Sequence, residues 1–182
     1  MKTRNFILSF LMMMFCSVTF GQNWGDFNYH DYPNNMTVKA VISIDGELQS
    51  NSNLTIAPYC GDVRRGEPAR AIKAVTGKYI VDLLIYGETN GDLITFKLFD
   101  GEYMYDNLAD YSKAFEADAV YGDLRTPENI NFKSVAKVGD KKYGKLQVAV
   151  NAAEGKTVEV INDVTLKESV VVPRREWQRL SF

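Results

Sequence analysis

The chain has only two cysteines, Cys16 and Cys60, and a single histidine, His30, among its 182 residues. That scarcity removes several chemistries at once. Two thiols, one of them within the first sixteen residues, cannot staple a fold with disulfides, and one imidazole with one remaining thiol gives too few donors for a zinc site. No serine, threonine or cysteine nucleophile has a credible histidine partner, because His30 stands alone near the start of the chain. No two carboxylates are singled out by spacing as the acid and nucleophile of a glycosidase. The glycine-bearing stretch GETNGD, Gly87 to Asp92, lacks both the lysine and the following helix of a phosphate loop. Adjacent arginines late in the chain occur at Arg174-Arg175, and the formal charge is -2, so no concentrated cationic face is expected for nucleic acid. No catalytic, cofactor-binding or metal-ligating residue is therefore assigned and no cofactor is expected, with carboxylate ligation of calcium left open.

Long apolar runs are missing too. The longest greasy stretch, Phe6 to Phe15, is far shorter than the roughly 20 residues that cross a bilayer, so no transmembrane span is expected. It follows Lys2 and Arg4 and ends in small and polar residues up to Gly21, the order of a secretory signal peptide over residues 1–21. Cleavage after Gly21 would leave Gln22 first and remove Cys16. Loss of the two basic residues would take the charge from -2 to -4. The expected location is secreted or at the cell surface, with Cys60 a small buried hydrophobe.

What the remaining sequence has in quantity is strand signal. From Met36, the residues Val38, Ala40, Ile42 and Ile44 alternate with Thr37, Lys39, Val41 and Ser43, which puts one row on each face of a pleat. Asp45-Gly46 supplies a tight turn into Glu47–Gln49. Leu54 to Cys60 is a short apolar segment stopped by Gly61-Asp62, with a further break at Gly66-Glu67-Pro68. YIVDLLIY (Tyr79 to Tyr86) and LITFKLF (Leu93 to Phe99) are dense in β-branched and aromatic residues. Joined by GETNGD, they read as a hairpin at the centre of the core that buries Leu83, Ile85, Ile94, Phe96 and Leu98, or the alternate set if the register is shifted by one. Phe115 to Leu124 reads as a helical turn or a bulged strand, with the strand favoured, and Ile130 and Phe132 as an edge.

Short strands at close spacing follow Gly139: Leu146–Val150, Thr157–Ile161 and Val164–Val172. No segment keeps a helical period, so the fold class is all-β. The expected organisation is an antiparallel β-sandwich over residues 22–132, a boundary near Asn131 to Asp140, and a short β-strand region over 133–182. Alternation breaks at PRREWQRLSF, which reads as the shortened end of a longer repetitive β-region.

Trp24, NMTVKAVISIDGE, IAPYCGDVRRG, YIVDLLIYGETNGDLITFKLFD and FEADAVYGD together resemble a β-sandwich module that recurs in secreted and surface proteins of Bacteroidetes bacteria. The likeness covers roughly Trp24 to Phe132 and rests on Gly61-Asp62, Arg65-Gly66 and Phe99-Asp100. It implies location and fold more than activity, because such modules sit beside repeats, enzymes or sorting domains and are mostly uncharacterised. Members often carry a second cysteine before the arginine, where this chain has Arg64.

Two clusters are site-like. Tyr59, Asp62, Arg64 and Arg65, with Glu67, border glycines in a loop between strands, where charged groups can reach a ligand. The same residues would serve equally to pin a corner, with Arg65 paired to Asp62 or Asp100 and Gly66 supplying a backbone angle. The second cluster is aromatic: Trp24, Phe27, Tyr29 and Tyr32, then Tyr103, Tyr105 and Tyr111. Such rings stack against sugars or fill the rim of a β-core. The function expected is a non-catalytic secreted or surface module with a structural or adhesive role, partnered by a surface glycan or another surface protein. A carbohydrate-binding accessory module is the alternative.

Overall fold

The computed structural model describes residues 23–166 and 168–173. The leader expected over 1–21, and everything after Pro173 in PRREWQRLSF, lie outside the described residues. Strands in chain order are β1 (Asn34–Ile44), β2 (Glu47–Leu48), β3 (Thr55–Cys60), β4 (Val63–Arg64), β5 (Ala69–Arg70), β6 (Ile72–Lys73), β7 (Tyr79–Gly87), β8 (Leu93–Phe99), β9 (Lys113–Ala114), β10 (Val120–Tyr121), β11 (Glu128–Phe132), β12 (Ala136–Val138), β13 (Lys141–Tyr143) and β14 (Glu159–Val160). Among the described residues a single α-helix, α1 (Leu146–Ala152), interrupts them. The fold is all-β.

One sheet has the order β10-β1-β7-β6, with β11 and β2 also on β1; a second has the order β4-β3-β8-β9, with β5 on β3. Both contribute to one core. The inward row of β1, Met36, Val38, Ala40 and Ile42, meets Val81, Leu83 and Ile85 of β7, Ile56 of β3 and Ile94, Phe96 and Leu98 of β8. Period-two alternation places each of these on the same side of its strand, so the two sheets bury their apolar faces against each other. The five side chains expected in the centre, Leu83, Ile85, Ile94, Phe96 and Leu98, are all buried.

Their pairing differs from expectation. Tyr79–Gly87 and Leu93–Phe99 do not form a hairpin: β7 pairs with β1 and β6, and β8 pairs with β3 and β9. They lie in opposite sheets. The linker between them is held by another segment, since Gly91 N–H donates to the Phe115 carbonyl and Phe115 N–H to the Asp92 carbonyl, both at 2.8 Å. The Asn90 side chain also accepts from Ala117 N–H at 2.9 Å. These bonds satisfy the loop without a two-residue turn, which frees the chain to cross between layers.

The antiparallel expectation also needs amending, because β1 pairs with β10 and β11 in parallel. Phe115 to Leu124 holds only the short β10, with a turn at Asp118 whose φ is 63°. Beyond Phe132 a separate, smaller cluster gathers Val135, Ala136, Val138, Tyr143, Ala149 and Ala153 beneath β12, β13, β14 and α1. Leu146–Val150, expected as a strand, is the start of α1. Its first amide is satisfied from afar: Leu146 N–H donates to the Asp106 carboxylate at 2.7 Å, a partner no local pattern reveals. Thr157–Ile161 keeps only β14, and no strand is found between Val164 and Val172 among the described residues.

Candidate functional site

Three of the four site residues picked from sequence converge on the segment that precedes β1. Tyr59, buried in β3, donates its phenol hydrogen to the Trp24 carbonyl at 2.6 Å. Burial pushes its pKa up, partly opposed by the charge of Arg64. The Lys97 ammonium sits 3.8 Å from the centroid of the same ring. Arg64 lies over the Phe27 ring at 5.3 Å and pairs with Glu67 at 3.1 Å. Arg65 lies over Tyr32 at 4.6 Å, and its Nη2 faces the Asp92 carboxylate at 3.7 Å. Its carboxylate partner is thus Asp92, not Asp62 or Asp100.

Arg65 also clamps the two sheets through its main chain. Its backbone N–H donates to the Pro58 carbonyl in one sheet at 2.9 Å, while its carbonyl accepts from Tyr86 N–H in the other at 2.6 Å. Gly66 is required next to it for space. A Cβ there would stand 2.4 Å from the Leu84 carbonyl oxygen and 3.0 Å from the Pro58 ring, so the expected role of a special backbone angle is replaced by close approach. The chain then continues through β5 on β3 and β6 on β7, lacing one edge of both sheets.

Asp62 is elsewhere. It borders a cavity of about 810 Å³ together with Lys97, Tyr105, Asp106 and the stretch after β14 that includes Asp163 and Thr165.

The aromatic cluster divides in two. Tyr103 stacks on Tyr105 at 6.1 Å, Tyr105 meets Phe132 edge-on at 6.2 Å, and Tyr111 packs on Phe96 at 5.7 Å. Burial, then neighbouring Asp100, lifts the Tyr103 hydroxyl to about 12, and burial also raises Tyr105 and Tyr111 strongly. These rings are rim and core. The earlier group faces out: Phe27 stacks on Tyr32 at 6.1 Å, and both Phe27 and Tyr29 lean on Tyr86 at 5.6 and 6.2 Å.

Here Phe27, Tyr29 and Tyr86 border an open groove of about 720 Å³ on the outer face of β7 and β6. Its apolar lining includes Leu84 together with Ile72 and Val75, which are 70% and 96% exposed. The Lys39 ammonium and Asp82 carboxylate pair across β1 and β7 on the same face, with Glu67 and Arg70 at the border. Sequence reasoning named Tyr29 but missed Leu84, Ile72 and Val75. The signal was present in YIVDLLIY: its outward row, Asp82-Leu84-Tyr86, is apolar at two positions where a solvated face would be polar.

Among the described residues, no group of three histidine, cysteine, aspartate or glutamate side chains stands where it could hold a metal ion. No helix among them is long and apolar enough to cross a membrane. No protein-family model matches the chain, and neither a curated protein nor a solved structure does.

Proposed function

We propose that the chain is an exported, non-catalytic module with a structural or adhesive role at the cell surface. The observation that carries this reading is how its charged and aromatic loop residues are used. Tyr59, Arg64 and Arg65 are turned onto the chain's own Trp24, Phe27 and Tyr32, which leaves the groove beside Leu84 as the surface open to a partner. An apolar floor with a charged border suits contact with another macromolecule. Immobilised protein should retain components of a bacterial surface extract, and Leu84→Ser with Ile72→Ser should reduce retention at least tenfold without lowering the melting temperature. Retention that is unchanged in this double variant would sink the assignment of the groove.

A second reading is favoured by one feature, the exposed Tyr29 ring beside Tyr86 with Glu67 and Asp82 in the same groove. Aromatic faces stack on the C–H faces of sugars and carboxylates accept their hydroxyls. A glycan array separates the two readings. Saturable binding lost in Tyr29→Ala supports the carbohydrate-binding accessory role, and a blank array supports protein contact.

A further inference from the structure

The groove on the outer face of β7 and β6 has an unbalanced border. Lys39 pairs with Asp82 and Glu67 with Arg64, so those charges cancel in place. Arg70 and Lys73 also line the groove, and neither has a carboxylate partner among the described residues. Arg70 is held by neutral oxygens: its Nε donates to the Ser52 carbonyl and its Nη2 to Asn53 Oδ1 at 3.2 Å. Lys78, one residue before β7, donates to the Arg125 carbonyl at 3.4 Å, which sets both residues beside the groove residue Leu124. They too lack a carboxylate partner among the described residues. Against these cations stands Asp123, whose carboxylate already accepts from the N–H groups of Arg125 and Thr126 at 2.6 and 2.7 Å.

The other end of the groove, at Tyr86, shows what such a surface accepts. It is walled by the segment that precedes β1, residues 23–33, which carries Asp26 and Asp31 and neither lysine nor arginine. The Phe27 and Tyr29 rings of that segment lean on Tyr86, and the Arg64 guanidinium lies over Phe27. An acidic, aromatic stretch of chain is thus already seated at one end. Past it the apolar floor continues through Leu84 to Ile72, Val75 and Leu124, all of them exposed.

We propose that the groove receives a short acidic segment of a partner protein, whose large apolar side chains lie on Leu84, Ile72 and Val75 while its carboxylates pair with Arg70, Lys73, Lys78 and Arg125. The inference rests on the reading of the groove as a protein contact and adds the chemistry of the partner. Burial of the apolar side chains supplies most of the affinity. Charge decides which segment is admitted, because an exposed pair attracts weakly while a like-charged competitor is turned away.

The test titrates the full chain, by fluorescence anisotropy, with three labelled octapeptides: leucine alternating with aspartate, leucine alternating with lysine, and serine alternating with aspartate. The leucine–aspartate peptide should bind about tenfold more tightly than either of the others, and added salt should narrow its lead over the leucine–lysine peptide. Lys73→Glu with Lys78→Glu should reverse the order of those two peptides. Both lysines are exposed, and circular dichroism checks that the fold is kept; should the double variant not fold, Lys73→Glu alone should cut the preference about threefold. Equal binding of the two leucine peptides, or a preference that the charge reversals leave untouched, overturns the inference. Two further results separate it from the reading beneath it. Where the leucine–lysine peptide binds as well and both are lost in Ile72→Ser/Leu84→Ser, the groove remains a protein contact and the acidic partner is refuted. Where peptide binding is indifferent to those serines, the groove reading falls with it. Saturable glycan binding lost in Tyr29→Ala, with none of the peptides bound, overturns the acidic segment in favour of a sugar.

Discussion

Replacing Arg65 by alanine tests whether the arginine clamps the chain's own segment or waits for a ligand. Its side chain is 13% exposed, over the Tyr32 ring and 3.7 Å from the Asp92 carboxylate. Truncation removes a cation–π contact of about 0.5–2 kcal/mol and roughly 2 kcal/mol of buried methylene stem. The partly exposed ion pair adds less than about 1 kcal/mol. Against this, Nε and Nη1 are buried with no hydrogen-bond partner among the described residues. Removing them returns on the order of 1–3 kcal/mol of desolvation. The net loss is about 1–2 kcal/mol, a fall in Tm of roughly 3–6 °C for a protein of this size. Arg65→Met keeps the stem and discards both the charge and the unpartnered donors, so it should stay within about 1 kcal/mol of the parent. Urea unfolding of Arg65→Ala, Tyr32→Leu and the double variant should give a coupling of about 0.5–1.5 kcal/mol. Zero coupling with an unchanged Tm in Arg65→Ala would refute the clamp and return Arg65 to the pool of ligand-binding candidates.

Gly66→Ala forces a Cβ against the Leu84 carbonyl and should cost about 1–3 kcal/mol or more by thermal unfolding, where an Ala tolerated without loss would show that the two sheets are not joined there. Phe96→Ala, fully buried between the sheets, should cost about 3–5 kcal/mol in the same assay. Asp45 is expected to give an acid limb to stability. Burial alone would raise its pKa, but the Ser134 N–H and the Lys142 ammonium, each bonded to the carboxylate, hold it below the ordinary 3.8. Its contribution is present above that value and is lost as pH falls through the lowered one. Asp45→Asn should flatten the dependence between about pH 5 and 2. Tyr103 works in the opposite direction: its hydroxyl is raised from 10.0 to about 12, so its contribution is intact below pH 10 and lost as pH climbs through 12. An ultraviolet titration should show phenolate appearing late for this residue, and early ionisation would place the ring in solvent.

Burial was legible in the sequence, as was the local turn at Asp45-Gly46 that pairs β1 with β2, but long-range pairing was not, for a physical reason. Alternation within YIVDLLIY and LITFKLF fixes which side of each strand faces the core, because side chains flip with period two whatever the neighbour is. Which strand lies alongside is decided by hydrogen bonds to β1 and β3, far away in the chain. GETNGD has the composition of a hairpin turn, yet Phe115 and Ala117 take up its backbone and side-chain bonds and let it bridge the layers. Gly87 is equally opaque, since its need comes from the Phe115 ring 2.8 Å from where a Cβ would stand. The misreading of α1 has the same origin: seven residues are too few to show a helical period, and their N-terminal amide is satisfied by Asp106, forty positions earlier. For the candidate site, the residues were legible and their employment was not. Arg64 and Arg65 stood out by charge and glycine neighbours, but the rings they cover precede them by more than thirty positions.

The parallel union of β1 with β10 and β11 sets an order of events for biogenesis. The middle of the first sheet is among the earliest parts of the chain to be synthesised, whereas its flank, Glu128–Phe132, arrives after every strand of the second sheet. A nascent chain that ends before Phe132 leaves that side of β1 bare, and contacts so remote in sequence close slowly. Completion of that parallel seam is thereby deferred until Phe132 has been made.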